Sequence, residues 1–221
     1  MNKCIGIISW LPDNLEQRNL RLETLNKTLK SCDEVFNLPI VIIAQNWKDD
    51  DIYISKQSVI FHYEKLGIVK ARKILRLKFL QSEYDSLIML DDDCILEGDA
   101  TEYLQTIDDN SDKIIQVFDN WQLKLFAISK ENYAQVDMPD ICVENLEGIE
   151  DELFIKRCQH LFKDKVITLP DCKIKLNVAQ TFDNSTWKPE GYSHKDYLKV
   201  ARNTCMVSDS YIFTGESHVS H

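Results

Sequence analysis

Over the first ninety residues, short continuous apolar runs alternate with segments of helical period. Cys4–Ser9 (CIGIIS) predicts a short buried strand. After Leu11-Pro12-Asp13, the leucines at 15, 22, 25 and 29 recur at helical spacing, which predicts an amphipathic helix from Asn14 to about Ser31 capped by Asp13 or Asn14. Leu38–Gln45 (LPIVIIAQ) is β-branched and apolar throughout, as expected of a parallel strand covered on both faces. A polar loop (NWKDDD) leads to a third strand, Ser58–Tyr63. Gly67 then opens a helix with Ile68, Ala71, Leu75 and Phe79 on one face, and Lys70, Arg72, Lys73 and Arg76 largely off it. Ser86–Asp91 (SLIMLD) is a fourth strand and runs straight into three aspartates, Asp91, Asp92 and Asp93.

The order strand–helix–strand–strand–helix–strand predicts an α/β fold with a mostly parallel central sheet flanked by helices. Ligands of such sheets sit beyond the carboxyl ends of the strands. Ser9-Trp10, Gln45-Asn46-Trp47 and the aspartates are three such exits that turn polar together, so they predict one pocket. The second half of the chain is less regular. Gln122–Tyr133 predicts a strand turning into a short helix, and Met138–Gly148 a loop. Ile149–Lys163 predicts a helix with Phe154, Cys158, Leu161 and Phe162 on one face and Glu150, Asp151 and Glu152 in its first turn, where the helix dipole favours acid. A late strand is expected in Lys165–Pro170 and a further helix around His194–Arg202. No repeat, low-complexity segment or linker divides the 221 residues, which predict a single domain.

Charge narrows the function classes. Lys and Arg number 26 against 36 Asp and Glu, a net charge of -10, which disfavours nucleic acid as partner because phosphate binding needs a basic surface. The segment Lys65–Lys78 (KLGIVKARKILRLK) is the local exception, carrying only basic charges. No apolar stretch approaches the roughly 18 residues that span a bilayer. The sequence also opens without a secretory h-region. Seven scattered cysteines with no C-x-x-C pair predict reduced thiols and a cytoplasmic location.

The three aspartates carry the chemistry. If the strand pleat continues, Asp91 and Asp93 point to one side and Asp92 to the other. Two converging carboxylates are hard oxygen ligands for Mg²⁺ or Mn²⁺, ions that keep open positions for water and phosphate. The plainer reading is a solvated acidic turn. A buried strand directly before the aspartates and a basic helix before that favour the site.

With those residues in view, Leu66–Leu96 (LGIVKARKILRLKFLQSEYDSLIMLDDDCIL) resembles the donor-binding stretch of family 2 glycosyltransferases of the GT-A fold. Gly67 and Ala71-Arg72 open the helix, and Asp91-x-Asp93 ends the strand. Glu150-Asp151, followed by Arg157, resembles the family's acidic ED motif, and Leu123–Tyr133 the strand and turn between the two. The resemblance spans roughly Cys4 to Leu169. It implies a GT-A, Rossmann-like domain in which residues 1–100 form the donor half and residues 101–221 the acceptor and catalytic-base half. It further implies an inverting, metal-dependent glycosyltransferase of the hexosyltransferase class, moving a sugar from a nucleotide-sugar, with a UDP-sugar expected, to a glycan or lipid-linked glycan at the inner face of the membrane. Asp93 would ligate the Mn²⁺ or Mg²⁺ ion with Asp91, which also meets the donor. Arg72 would lie near the nucleotide base. Ser9, Gln45 and Asp92 would line the donor site. Asp151 would be the general base, with Glu150 beside it, and a late histidine, His194 or His218, would complete the metal sphere.

Two departures stand out: Gln45-Asn46 occupies a position that is usually acidic in the family, and SWLPDN is an unusual exit for strand one. A nucleotidyltransferase is the first alternative, but such enzymes carry a glycine-rich loop after strand one and SWLPDNLEQR has no glycine. A non-catalytic, metal-dependent carbohydrate-binding module is the second, and would need neither Arg72 nor Asp151.

Overall fold

A computed structural model describes residues 1–48, 52–55, 57–117, 123–137, 150–169 and 172–178. Among the described residues the elements in chain order are β1 (Lys3–Trp10), α1 (Leu15–Phe36), β2 (Ile40–Gln45), β3 (Val59–Tyr63), α2 (Ile68–Gln81), β4 (Ser86–Asp91), β5 (Cys94–Gly98), α3 (Thr101–Asp109), β6 (Ile114–Gln116), β7 (Phe126–Ser129), α4 (Lys130–Gln135), α5 (Glu150–Phe162), β8 (Val166–Thr168) and β9 (Ile174–Val178), with a 3-10 turn at Lys163–Lys165. Seven strands form one sheet in the order β3-β2-β1-β4-β7-β6-β8. The strands β3, β2, β1 and β4 are parallel, whereas β7 enters antiparallel beside β4. This is the α/β class that the apolar runs predicted.

The apolar runs are continuous because both sheet faces are covered. Ile5, Ile7, Ile40, Ile42, Ile88 and Leu90 pack with Leu25, Leu29, Cys32 and Phe36 of α1. The intervening positions Cys4, Ile8, Val41, Ile43, Leu87 and Met89 pack with Ala71, Leu75 and Phe79 of α2, Tyr133 of α4 and Phe154 and Cys158 of α5. Fully burying each of the Ile, Leu, Val, Met and Phe side chains among them contributes about 1.5–3 kcal/mol. Gly6 lies on the second face, where a Cβ would stand 2.8 Å from Leu87 Cδ1 and 2.9 Å from Leu75 Cδ2, so its lack of a side chain seats α2 against β1.

The α1 helix begins as expected, with the Asn14 side chain accepting from Gln17 N at 3.0 Å. Its buried face differs from the leucine pattern: Leu15 is 70% exposed, while Arg18 and Arg21 are buried. Both arginines find oxygen partners there. Arg18 donates to the carbonyls of Pro12 and Asn46, and Arg21 reaches Asp92. In α5 the expected Leu161 is exposed, and Leu153 and Ile155 are buried beside Phe154, Cys158 and Phe162. The loop predicted in 138–148 and the helix around His194–Arg202 lie outside the described residues. Cys4, Cys32, Cys94, Cys158 and Cys172 are free thiols. Among the described residues no helix is long and apolar enough to cross a membrane.

Candidate functional site

Parallel register fixes where the polar exits meet. Ile8 of β1 stands opposite Asp91 of β4, and Trp10 stands opposite Gln45 of β2. The aspartates therefore lie at the carboxyl edge of the sheet, next to the β1 exit. The chain leaves β4 at Asp91, turns through Asp92 and Asp93, and enters β5 at Cys94.

The three carboxylates have separate environments. Asp91 stands between two cations: Arg72 Nη2 is 3.5 Å from its Oδ1 and Lys124 Nζ is 3.7 Å from its Oδ2. Asp92 is buried and pairs with Arg21 Nη2 at 3.1 Å. Burial pushes its carboxyl upward, against the opposing charge of Arg21. Asp93 meets the Cys94 thiol, which donates to its Oδ1 at 3.6 Å. Burial first, and then the charges of Asp92 and Asp91, push Asp93 up to about 6.

Arg72 joins this edge to the second half of the chain. Its Nη2 lies 2.7 Å from Asp151 Oδ1, so one guanidinium bridges Asp91 at the end of β4 and Asp151 in the first turn of α5. The helical pattern put Arg72 off the apolar face; the structure buries it with Ala71, Leu75 and Phe79, because the two carboxylates satisfy its charge. Arg72, which the resemblance sets near the nucleotide base, stands at these two carboxylates. Asp151 Oδ2 also accepts from Leu123 N at 3.3 Å. Glu150 opens the same helix, though its side chain lies outside the described residues, as do His194 and His218. Arg157 donates to the Asp137 carbonyl at 3.0 Å, away from this cluster.

Ser9 and Gln45 differ from the expected donor surface. Ser9 is fully buried. Gln45 is 3% exposed, and its Oε1 accepts from Leu66 N at 2.9 Å, tying the β2 exit to the loop before α2. With Asp92, they form the floor beneath the site. The surface belongs to residues on the loops. A cleft of about 560 Å³ at the exits of β1, β2 and β3 is lined by Trp10, Asp13, Asn46, Trp47, His62, Tyr63, Glu64 and Lys65. The Trp47 ring meets His62 edge-on at 6.1 Å, and Lys65 Nζ lies 5.2 Å from the centre of the Trp10 ring. Such faces can stack a planar ring. Trp10 joins cleft to cluster, because its backbone bonds Asp92 while its ring lines the cleft.

The donor set fits a hard divalent cation. Asp91, Asp93 and Cys94 each place one ligand atom within 4.8 Å of the others. Burial pushes the Cys94 thiol far above its usual range, so it stays protonated and leaves two carboxylates as the ligands. Asp91 and Asp92 each have a cationic neighbour at ion-pair distance, whereas among the described residues Asp93 has none. Lys124 is the residue that sequence reasoning missed, since no motif contains it. Burial lowers its pKa, but the charges of Asp91, Cys94, Asp93 and Asp151 outweigh this and raise it, which keeps the ammonium charged.

No family model matches the sequence. No curated protein matches it. Solved structures do. TarS of S. aureus superposes with a TM-score of 0.56 at 12% identity, over 77% of this chain and 35% of its own. A protein of Desulfovibrio desulfuricans G20 with the provisional name nucleotide-diphospho-sugar transferase gives 0.55 at 12% identity, over 96% of this chain and 97% of its own. The apo-form glycosyltransferase GlyE of Streptococcus pneumoniae TIGR4 gives 0.51 at 17% identity, over 77% of this chain and 46% of its own. The chain thus spans about a third of TarS and under half of GlyE. At these identities the likeness is one of fold, and the fold is GT-A-like.

Proposed function

We propose that the protein is a metal-dependent, inverting glycosyltransferase that moves a sugar from a nucleotide-sugar donor to a hydroxyl of a glycan or lipid-linked glycan. One observation carries the reading: Asp91, Asp93, Arg72 and Asp151, drawn from two distant segments, meet in a single cluster beside an aromatic cleft. A carbohydrate-binding module has no use for the Arg72–Asp151 pair. The GT-A-like fold supports the same reading, since two of the similar structures bear the names of a nucleotide-diphospho-sugar transferase and a glycosyltransferase.

In this reading the base lies against Trp10 and Trp47, and the diphosphate reaches toward Asp91 and Asp93. Residues 1–100 form the donor half. A divalent ion held by Asp91 and Asp93 would offset the charge that grows on the leaving diphosphate. Asp151 accepts the proton of the attacking hydroxyl, and Arg72 fixes its orientation. Attack from the Asp151 side, opposite the leaving group, inverts the anomeric centre. The donor is a UDP-sugar, and the protein works in the cytoplasm at the inner face of the membrane.

A thermal-shift series of UDP-, GDP- and dTDP-sugars with and without Mn²⁺ tests the donor site, because only a species bound by the folded state raises the melting temperature. The expected result is a shift with one nucleotide class that requires Mn²⁺ and is lost in Asp93→Ala. Equal shifts in Mn²⁺ and in chelator would contradict the metal, and no shift with any of the three would contradict the donor.

A further inference from the structure

Lys124 is held in place by its surroundings. Its neighbours Leu123 and Leu125 are both fully buried. Leu125 has φ 54°, the left-handed region that side-chain-bearing residues rarely adopt and that persists only where surroundings enforce it. Those surroundings are visible: the Tyr103 hydroxyl donates to the Leu125 carbonyl at 2.9 Å, and Leu123 N donates to Asp151. The segment is pinned on both sides of Lys124, and the side chain, 12% exposed, projects to Asp91.

The charges then decide what this lysine does. Three carboxylates, Asp91, Asp93 and Asp151, face two cations, Arg72 and Lys124. An ion shared by Asp91 and Asp93 would sit within a few ångströms of the ammonium that already neutralises Asp91. Like charges at such range in a half-buried site repel strongly. A diphosphate removes the conflict, because its oxygens can meet the metal and the lysine together.

We infer that Lys124 is a built-in counter-cation that suppresses divalent binding to the bare protein and makes it conditional on the diphosphate. The inference rests on the metal site proposed above and adds its order of filling. By linkage, the factor by which diphosphate tightens metal binding equals the factor by which metal tightens diphosphate binding.

Mn²⁺ titration followed by electron paramagnetic resonance, in the absence and presence of UDP, measures both factors in the full chain. Lys124→Met should bind Mn²⁺ alone at least tenfold more tightly than wild type, with a smaller gain on adding UDP. Lys124→Arg should behave as wild type, because the charge is kept. Lys124→Gln carries the same expectation as Lys124→Met, should the apolar variant fail to fold. If the neutral variants bind Mn²⁺ alone no more tightly than wild type, while all proteins still bind it with UDP, the inference is overturned and the metal site stands. If no protein binds Mn²⁺ even with UDP, the metal site falls and the inference with it.

Discussion

Asp92 and Asp93 are neighbours in one turn with opposite consequences for the molecule. The Asp92 carboxylate is spent inside, on Arg21 at 3.1 Å. Breaking a buried pair by removing one partner leaves an uncompensated charge, at a cost of about 3–5 kcal/mol. Arg21→Ala should therefore lower the unfolding free energy in urea by that amount. A loss below about 1 kcal/mol would contradict the buried pairing. Asp93 faces the site with its carboxyl raised from 3.8 to about 6, by burial first and then by its acidic neighbours. A folded pKa above the unfolded one means that the native state holds this proton longer. The stabilisation from protonated Asp93 is complete below its unfolded pKa of 3.8 and is lost as pH rises through about 6. In metal-free buffer, the stability of wild type minus that of Asp93→Asn should fall across this window. A flat difference would show that Asp93 titrates normally. Mn²⁺ affinity should run the other way and weaken as pH drops through about 6, since the ligand is the carboxylate.

At the scale of elements, what was legible depended on burial. Strands β1, β2 and β4 were readable because both faces are covered, which makes each run continuously apolar. Strands β5, β6 and β9 were not, since three to five residues in mixed company carry no period. The buried arginines of α1 were invisible for a different reason: hydrophobic periodicity cannot register a charged side chain whose partners are carbonyls and one distant aspartate. The small β5–β9 sheet can be tested directly. Gly98 has φ 108°, and a Cβ there would collide with the Lys173 carbonyl oxygen. Gly98→Ala should cost about 1–3 kcal/mol from backbone strain alone, with the clash against β9 in addition, read as a lowered urea midpoint. An unchanged midpoint would contradict both the positive-φ backbone at Gly98 and the pairing of β5 with β9 in this register.

For the whole molecule, the site was half visible in the sequence. Asp91, Asp93 and Asp151 drew notice because carboxylates at a strand exit and a helix start follow a recognisable order along the chain. The ion pairs of Arg72 are not legible there, as its helix position says nothing about two carboxylates that converge from elsewhere. Lys124 arrives from the segment before the antiparallel strand β7, a contact made only by the fold. In the proposed reaction these residues act together, with donor and metal on one side and proton acceptance by Asp151 on the other. Its most direct test is proton NMR of the sugar product, formed from an α-linked UDP-sugar in Mn²⁺ with a pool of short glycans, by wild type and Asp151→Asn. A β-linked product is expected from wild type. From Asp151→Asn, transfer should be slowed by about 10² to 10⁴, with the donor-induced thermal shift intact. An α-linked product, or near-normal transfer by Asp151→Asn, would contradict the proposed reaction.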